Sequence, residues 1–189
     1  IAVIGQNADS TRTLMGDYTF VACAELNVQL APQNSVYEQL TRQDFATPTV
    51  KMISILDGIK KIVSPNTVIQ FASGCDQDMK DESGFSEALT IAQESDVVIF
   101  VLGDLSGLAY YCTTGEFRDR TDLRLPGVQE KLFQHVIQAN KPVVLVLNNG
   151  RPASIPDLIE KSSAVLEAWI PGEEGGNAVA QVLFGDVNP

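Results

Sequence analysis

An α/β fold, with a mostly parallel sheet held between two layers of helices, is what this sequence predicts. Two observations carry that expectation. Five short runs rich in Val, Ile and Leu recur at 1–4, 67–72, 96–102, 142–147 and 164–169. None has the apolar–polar alternation of a half-solvated strand, so each reads as a strand covered on both faces. Helical stripes lie between or after these runs, and strand and helix in alternation give a parallel sheet with helices on both sides.

In chain order, the first strand is Ile1-Ala2-Val3-Ile4. Met52, Ile55, Leu56, Ile59, Ile62 and Val63 make one helical stripe before the second strand. A shorter, weaker helix over 86–92 precedes the third. Val128, Leu132, Phe133, Val136 and Ile137 make a second stripe, in a helix starting near Pro126. One helical turn is expected over 155–159, after Pro152. Ala178, Val179, Val182 and Leu183 form the last stripe, ended by Gly185. The chain begins inside a strand and stops just after a helix, so both ends are expected to be cuts in a longer polypeptide.

The 189 residues suit one domain over 1–189, and 44% apolar with 20% charged residues is an ordinary globular mix. The formal net charge of -11 argues against nucleic acid, which needs a Lys/Arg surface, and against anionic membranes. It is compatible with a neutral substrate, although solubility alone accounts for it. Cys23, Cys75 and Cys112 are widely spaced, with no CxxC, and the single histidine, His135, sits in a helical stripe. That pattern predicts no metal site and no cofactor. No apolar run reaches the roughly 18 residues of a membrane span. No signal peptide is visible, and the compartment stays open between a bacterial-type cytoplasm and a periplasmic or secreted location.

In open α/β sheets, ligands bind beyond the carboxyl ends of the strands. Here those ends carry Gly5-Gln6-Asn7-Ala8-Asp9, Gly74-Cys75-Asp76, the segment 103–126, Asn148-Asn149-Gly150-Arg151, and Pro171-Gly172-Glu173-Glu174-Gly175-Gly176. Loops of this class are polar in any case, so the weight falls on 103–126. It exceeds the about 12–15 residues beyond which a connection is usually functional or disordered, and it is not low-complexity. It holds Tyr110, Tyr111, Cys112, Glu116 and the cluster Arg118-Asp119-Arg120. A loop carboxylate at a cleft edge can act as general acid or base, and Glu116 is the candidate. The alternative is a structural ion pair with Arg118 or Arg120. Neighbouring arginines depress a carboxyl pKa, whereas a general acid wants it raised. Pairing of the arginines with Asp119 and Asp122 would ease that conflict and leave Glu116 facing the substrate.

Other segments point elsewhere. No GxGxxG follows the first strand, which disfavours a dinucleotide site. Glu173 and Glu174 read as first-turn helix residues and would repel phosphate. Asp76, Asp78, Asp81 and Glu82 lack EF-hand spacing and read as a solvated loop. Trp169 belongs either to the core or to the rim. A second long connection, 6–48, contains Tyr18, Phe20, Tyr37 and Phe45, and is a lid, a partner contact or a pocket wall.

The ordered set of motifs resembles the second, α/β-sandwich domain of glycoside hydrolase family 3, over nearly the whole length. It starts with Ala2-Val3-Ile4-Gly5-Gln6-Asn7-Ala8-Asp9 and Gly16-Asp17-Tyr18, and continues through Asp96-Val97-Val98-Ile99. Thr114-Gly115-Glu116-Phe117-Arg118-Asp119-Arg120, Leu125-Pro126-Gly127-Val128-Gln129 and Asn140-Lys141-Pro142-Val143 follow. It closes on Glu167-Ala168-Trp169-Ile170-Pro171-Gly172-Glu173-Glu174-Gly175-Gly176-Asn177 and Val182-Leu183-Phe184-Gly185-Asp186.

The resemblance implies a sheet of about six strands. Together with the five runs, that gives a three-layer α/β/α sandwich of five to six strands. It implies packing against a TIM-like barrel earlier in the same chain, which carries an aspartate nucleophile. Glu116 matches the glutamate of the family's Glu-Gly-x-Asp-Arg element and is implied to be the acid/base. Phe117 stands where many members have glycine, and Thr114 stands where one branch has another glutamate. Arg118 and Arg120 are substrate-binding candidates, or else order the loop.

The implied activity is that of a retaining, exo-acting β-glycosidase on β-linked gluco- or xylo-oligosaccharides or aryl glycosides. A homodimer is admitted, and these residues alone are expected to be inactive. Two rival readings stand beside it: a non-catalytic sugar-binding and interface domain, and a flavodoxin-like small-molecule binder. The missing phosphate-cradling loop counts against the second.

Overall fold

The computed structural model describes residues 1–31, 50–75 and 80–189. Five strands, β1 (Ala2–Ile4), β2 (Gln70–Ala72), β3 (Val98–Gly103), β4 (Val143–Asn148) and β5 (Ala164–Glu167), form one sheet in the order β2-β1-β3-β4-β5. Every pairing is parallel. Six α-helices are described: α1 (Phe20–Leu30), α2 (Ile55–Ile62), α3 (Phe85–Gln93), α4 (Gln129–Val136), α5 (Pro156–Glu160) and α6 (Gly175–Leu183).

Strand periodicity builds the three layers. Successive side chains of a strand point to opposite faces. Phe100 and Leu102 of β3, with Leu145 and Leu147 of β4, join Phe85, Leu132, Phe133 and Leu158 from α3, α4 and α5 in one core. Ile99, Val101 and Val146 join Ile55, Leu56, Ile59 and Val179 from α2 and α6 in the other. The Phe100 and Phe133 rings lie 5.0 Å apart. Each fully buried Leu, Ile or Phe contributes about 1.5–3 kcal/mol, so both faces of β3 and β4 anchor the fold.

Helix α2 starts at Ser54, whose hydroxyl accepts the Asp57 N–H, and ends with Lys60 and Lys61 in its last turn, where the helix dipole favours cations. It packs against α6 at backbone distance. A Cβ at Gly58 would stand 2.1 Å from the Gly176 carbonyl oxygen. That contact accounts for one glycine of the Glu173–Gly176 stretch, with Glu174 at the N-cap of α6.

Two expectations change. β5 is an edge strand, and Ala164 and Val165 are exposed rather than covered on both faces. The start of the 6–48 connection is not a plain loop. Two 3-10 turns, Gln6–Asp9 and Arg12–Leu14, lead into α1, with Thr19 as N-cap. Tyr37, Phe45, Asp76 and Asp78 lie outside the described residues. Asp81 and Glu82 are exposed, and Glu82 meets Lys131 at 2.7 Å. His135 packs its ring 5.7 Å from that of Phe85.

The strand order sets the place of the site. β1 pairs with β2 on one side and β3 on the other. The chain leaves β1 toward the α2 face and leaves β3 toward the α4 face. The crevice between the loops after β1 and β3 is therefore the topological switch point, where such sheets bind ligands.

Candidate active site

Buried amides pin the strand ends together beneath the crevice. The Asn7 amide donates to the carbonyls of Asp104 and Asn148, each at 3.2 Å. The Asn148 amide donates to the Trp169 carbonyl at 2.7 Å. The ends of the loop after β3 are closed by Gln129 of α4. Its Oε1 accepts the Gly103 N–H at 2.8 Å, and its Nε2 donates to the carbonyls of Gly103 (2.8 Å) and Pro126 (3.0 Å).

Between those ends the chain folds on itself. The Leu105 carbonyl accepts the Thr113 N–H at 2.9 Å, and the Thr114 carbonyl accepts the Gly107 N–H at 3.1 Å. Leu105, Ala109 and Cys112 form a small core of their own. Helix α1 supports this lobe from below, where the Gln29 side chain accepts the Tyr110 N–H at 2.8 Å. Arg12 and Glu25 form a bidentate pair there, with side chains 12% and 2% exposed. Burial works against the Arg12 charge, but the bonds to Glu25 and its attraction outweigh that and hold the guanidinium above its ordinary range.

Glu116 emerges at the top of the lobe, exposed, between two residues of positive φ: Gly115 (129°) and Phe117 (63°). Its N–H donates to Asp17 Oδ2 at 2.8 Å. Its carboxylate accepts the hydroxyl of Tyr18. The other Asp17 oxygen accepts the Ser106 hydroxyl. A cleft of about 510 Å³ lies beside these residues. Gly16, Asp17, Tyr18, Ser106, Thr114 and Arg151 are among its walls. A second, mostly apolar cavity of about 500 Å³ shares Gly16 and Ile170 with it and runs between Leu14, Phe20 and Met52.

The predicted arginines sit close to Glu116 in sequence, but their side chains are engaged elsewhere. Arg118 donates to the Leu108 carbonyl at 2.9 Å, and Arg120 lies 3.7 Å from the buried carboxylate of Asp104. Asp122 pairs with Arg124 at 3.0 Å, not with Arg118 or Arg120, and Asp119 is exposed on the cleft. Among the described residues, neither arginine forms an ion pair with Glu116. The arginines are thus engaged by Asp104 and a carbonyl instead of by Asp119 and Asp122.

Sequence reasoning missed the partners of Glu116. Asp17 and Tyr18 act from the loop after β1, Ser106 bonds Asp17 from within the same loop as Glu116, and Arg151 holds that loop from β4. Arg151 donates to the Thr114 hydroxyl at 3.1 Å and to the Arg118 carbonyl at 2.6 Å. The available signal was position alone, since Gly16-Asp17-Tyr18 and Gly150-Arg151 both lie beyond carboxyl ends of predicted strands.

Four similarities bear on this arrangement. The sequence is 39% identical over 189 residues to a beta-xylosidase of Formosa agariphila, covering 100% of this chain and 22% of that protein. It is 35% identical over 191 residues to a periplasmic beta-glucosidase of Salmonella typhimurium, covering 100% of this chain and 23% of that one. The chain thus spans less than a quarter of either relative. The fold superposes on a beta-glucosidase from Listeria innocua in complex with isofagomine with a TM-score of 0.72, at 28% identity, over 100% of this chain and 21% of that one. It also matches a GH3 exo-beta-xylosidase in complex with a xylobiose aziridine probe, with a TM-score of 0.70 at 25% identity, over 98% of this chain and 20% of that one. Residues 1–189 match the family described as the glycosyl hydrolase family 3 C-terminal domain, and the chain belongs to it.

Proposed function

We propose that this domain supplies the general acid/base, Glu116, to a retaining, exo-acting β-glycosidase. Retaining hydrolysis takes two carboxyl groups about 5–5.5 Å apart, one attacking the sugar and one protonating the leaving oxygen. The observation that carries the reading is the setting of Glu116. It stands exposed at the switch-point crevice, with its backbone fixed and its carboxylate bonded to one phenol. The nucleophile is assigned to a barrel domain in the remainder of a longer polypeptide, in keeping with the greater length of the relatives. Glu116 protonates the departing glycosidic oxygen, then takes a proton from the water that releases the sugar. The substrates are β-linked glucosides or xylosides, as the names of the relatives suggest. Arg118 and Arg120 contribute to substrate binding by holding the shape of the loop.

The test is Glu116→Gln in the full-length enzyme. Turnover of substrates with poor leaving groups should fall about 10²–10⁴-fold, the range for a lost acid/base. Activated aryl glycosides should lose far less in the glycosylation step, and azide should restore turnover. Equal loss on both substrate classes would transfer the acid role to another residue and leave this domain a sugar-binding wall.

A further inference from the structure

Glu116 has no secondary structure to hold it. It lies between two residues of positive φ, at the top of a lobe that partners from other loops also hold. For its backbone amide, that partner is Asp17, from the loop after β1. The two Asp17 oxygens grip both limbs of the lobe, since Oδ2 takes the Glu116 N–H at 2.8 Å and Oδ1 takes the Ser106 hydroxyl. Hydrogen bonds to an ionised acceptor are roughly twice as strong as neutral ones. The close approach depends on Gly115. A Cβ there would stand 2.9 Å from each Asp17 oxygen and 2.4 Å from the Gly107 carbonyl oxygen.

We infer that Asp17 is a positioning residue for the acid/base, and this rests on the assignment of that role to Glu116. Asp17 fixes where the Glu116 main chain sits, and with it the reach of the carboxyl to the glycosidic oxygen. A displacement of about 1 Å at such a point can cost about 10²-fold in rate. The loss falls on proton donation, so it should track leaving-group basicity instead of sugar affinity.

The experiment compares Asp17→Ala, Asp17→Asn and Ser106→Ala in the full-length enzyme, with Glu116→Gln in parallel. Asp17→Ala should lower kcat on alkyl or disaccharide substrates about 10–100-fold. On dinitrophenyl glycosides kcat/KM, which reports the glycosylation step, should fall within about threefold, because proton donation is not needed there. Asp17→Asn keeps one acceptor oxygen and should recover most of the lost rate. Should Asp17→Ala not fold, Ser106→Ala should show a smaller loss with the same leaving-group dependence. Equal losses on both substrate classes, or an Asn variant no better than Ala, would overturn the inference. If Glu116→Gln itself shows no leaving-group dependence, the acid/base assignment fails first, and the inference falls with it.

Discussion

The hydroxyl of Tyr18 donates to the carboxylate of Glu116, joining the loop after β1 to the loop after β3. The phenol proton is therefore held by an anion. The Tyr18 pKa is raised above its ordinary value of 10.0, first by the hydrogen bond to Glu116 and then by slight desolvation and the Glu116 charge. The sign follows from linkage. The interaction is fully present below the ordinary phenol range and is lost as pH rises through the raised value. The tyrosinate transition assigned to Tyr18, followed by NMR of labelled tyrosine, should move down toward 10 in Glu116→Gln. An unmoved transition would mean that the pair does not form in solution.

Phe117 is 76% exposed with a φ of 63°, a conformation that costs a residue with a Cβ about 1–2 kcal/mol. Glycine removes that cost and adds some entropy to the unfolded chain. Phe117→Gly should therefore stabilise the protein by about 0.5–1 kcal/mol in urea unfolding. Phe117→Ala keeps the strain and should give no gain. The order Gly above Phe and Ala is the outcome that checks the backbone account, and equal effects of Gly and Ala would contradict it.

The central strands were legible because they feed two cores. Ile99 and Val101 face one layer of helices while Phe100 and Leu102 face the other, so β3 reads as an unbroken apolar run. Glu116 stood out in the sequence as the lone glutamate of a long loop. Helix α1 was not. Its buried face holds Val21, Ala22 and Ala24 beside the carboxylate of Glu25, without the long aliphatic stripe that marks α2. The bond between Asp17 and Glu116 was hidden for another reason. The two residues are 99 positions apart, and only the strand order brings their loops together.

Glu167, at the carboxyl end of β5, is half-buried and accepts the Trp169 N–H at 3.1 Å. Partial burial raises its pKa above the ordinary carboxyl value of 4.5, and the charge of Asp104 adds to the rise, against the lowering by its bonds to Trp169 and Asn149. A carboxyl raised on folding stabilises below its unfolded pKa, and that stability is lost as pH climbs through the folded value. Glu167→Gln keeps an oxygen for Trp169 and removes the charge. It should stabilise the protein at neutral pH by up to about 1 kcal/mol, since the site is partly screened by solvent. The gain should vanish near about pH 3, below both pKa values. Urea midpoints at the two pH values measure it, and a gain that persists in acid would rule out charge as its source.

The Arg12–Glu25 pair joins the turn after β1 to α1, beneath the lobe that presents Glu116. Arg12 Nη2 lies 2.7 Å from Glu25 Oε2, and Nε lies 3.0 Å from Oε1. Desolvating two charges costs several kcal/mol, and their attraction and hydrogen bonds offset that only while both are present. Arg12→Met or Glu25→Leu alone should each cost about 3–5 kcal/mol, because each leaves a charge in a site built for a pair. The double variant should lose much less than the sum, since it removes both charges and fills the space with apolar atoms. A double-mutant cycle by urea unfolding gives the coupling directly. The same variants also separate two ways in which the pair could matter to the lobe. If its charge matters, activity falls in the double variant although stability returns. If its packing matters, activity recovers together with the unfolding midpoint. Recovery of both is the expected result, because Arg12 meets the lobe in close packing at Gly107, where a Cβ would stand 2.7 Å from Arg12 Nη2.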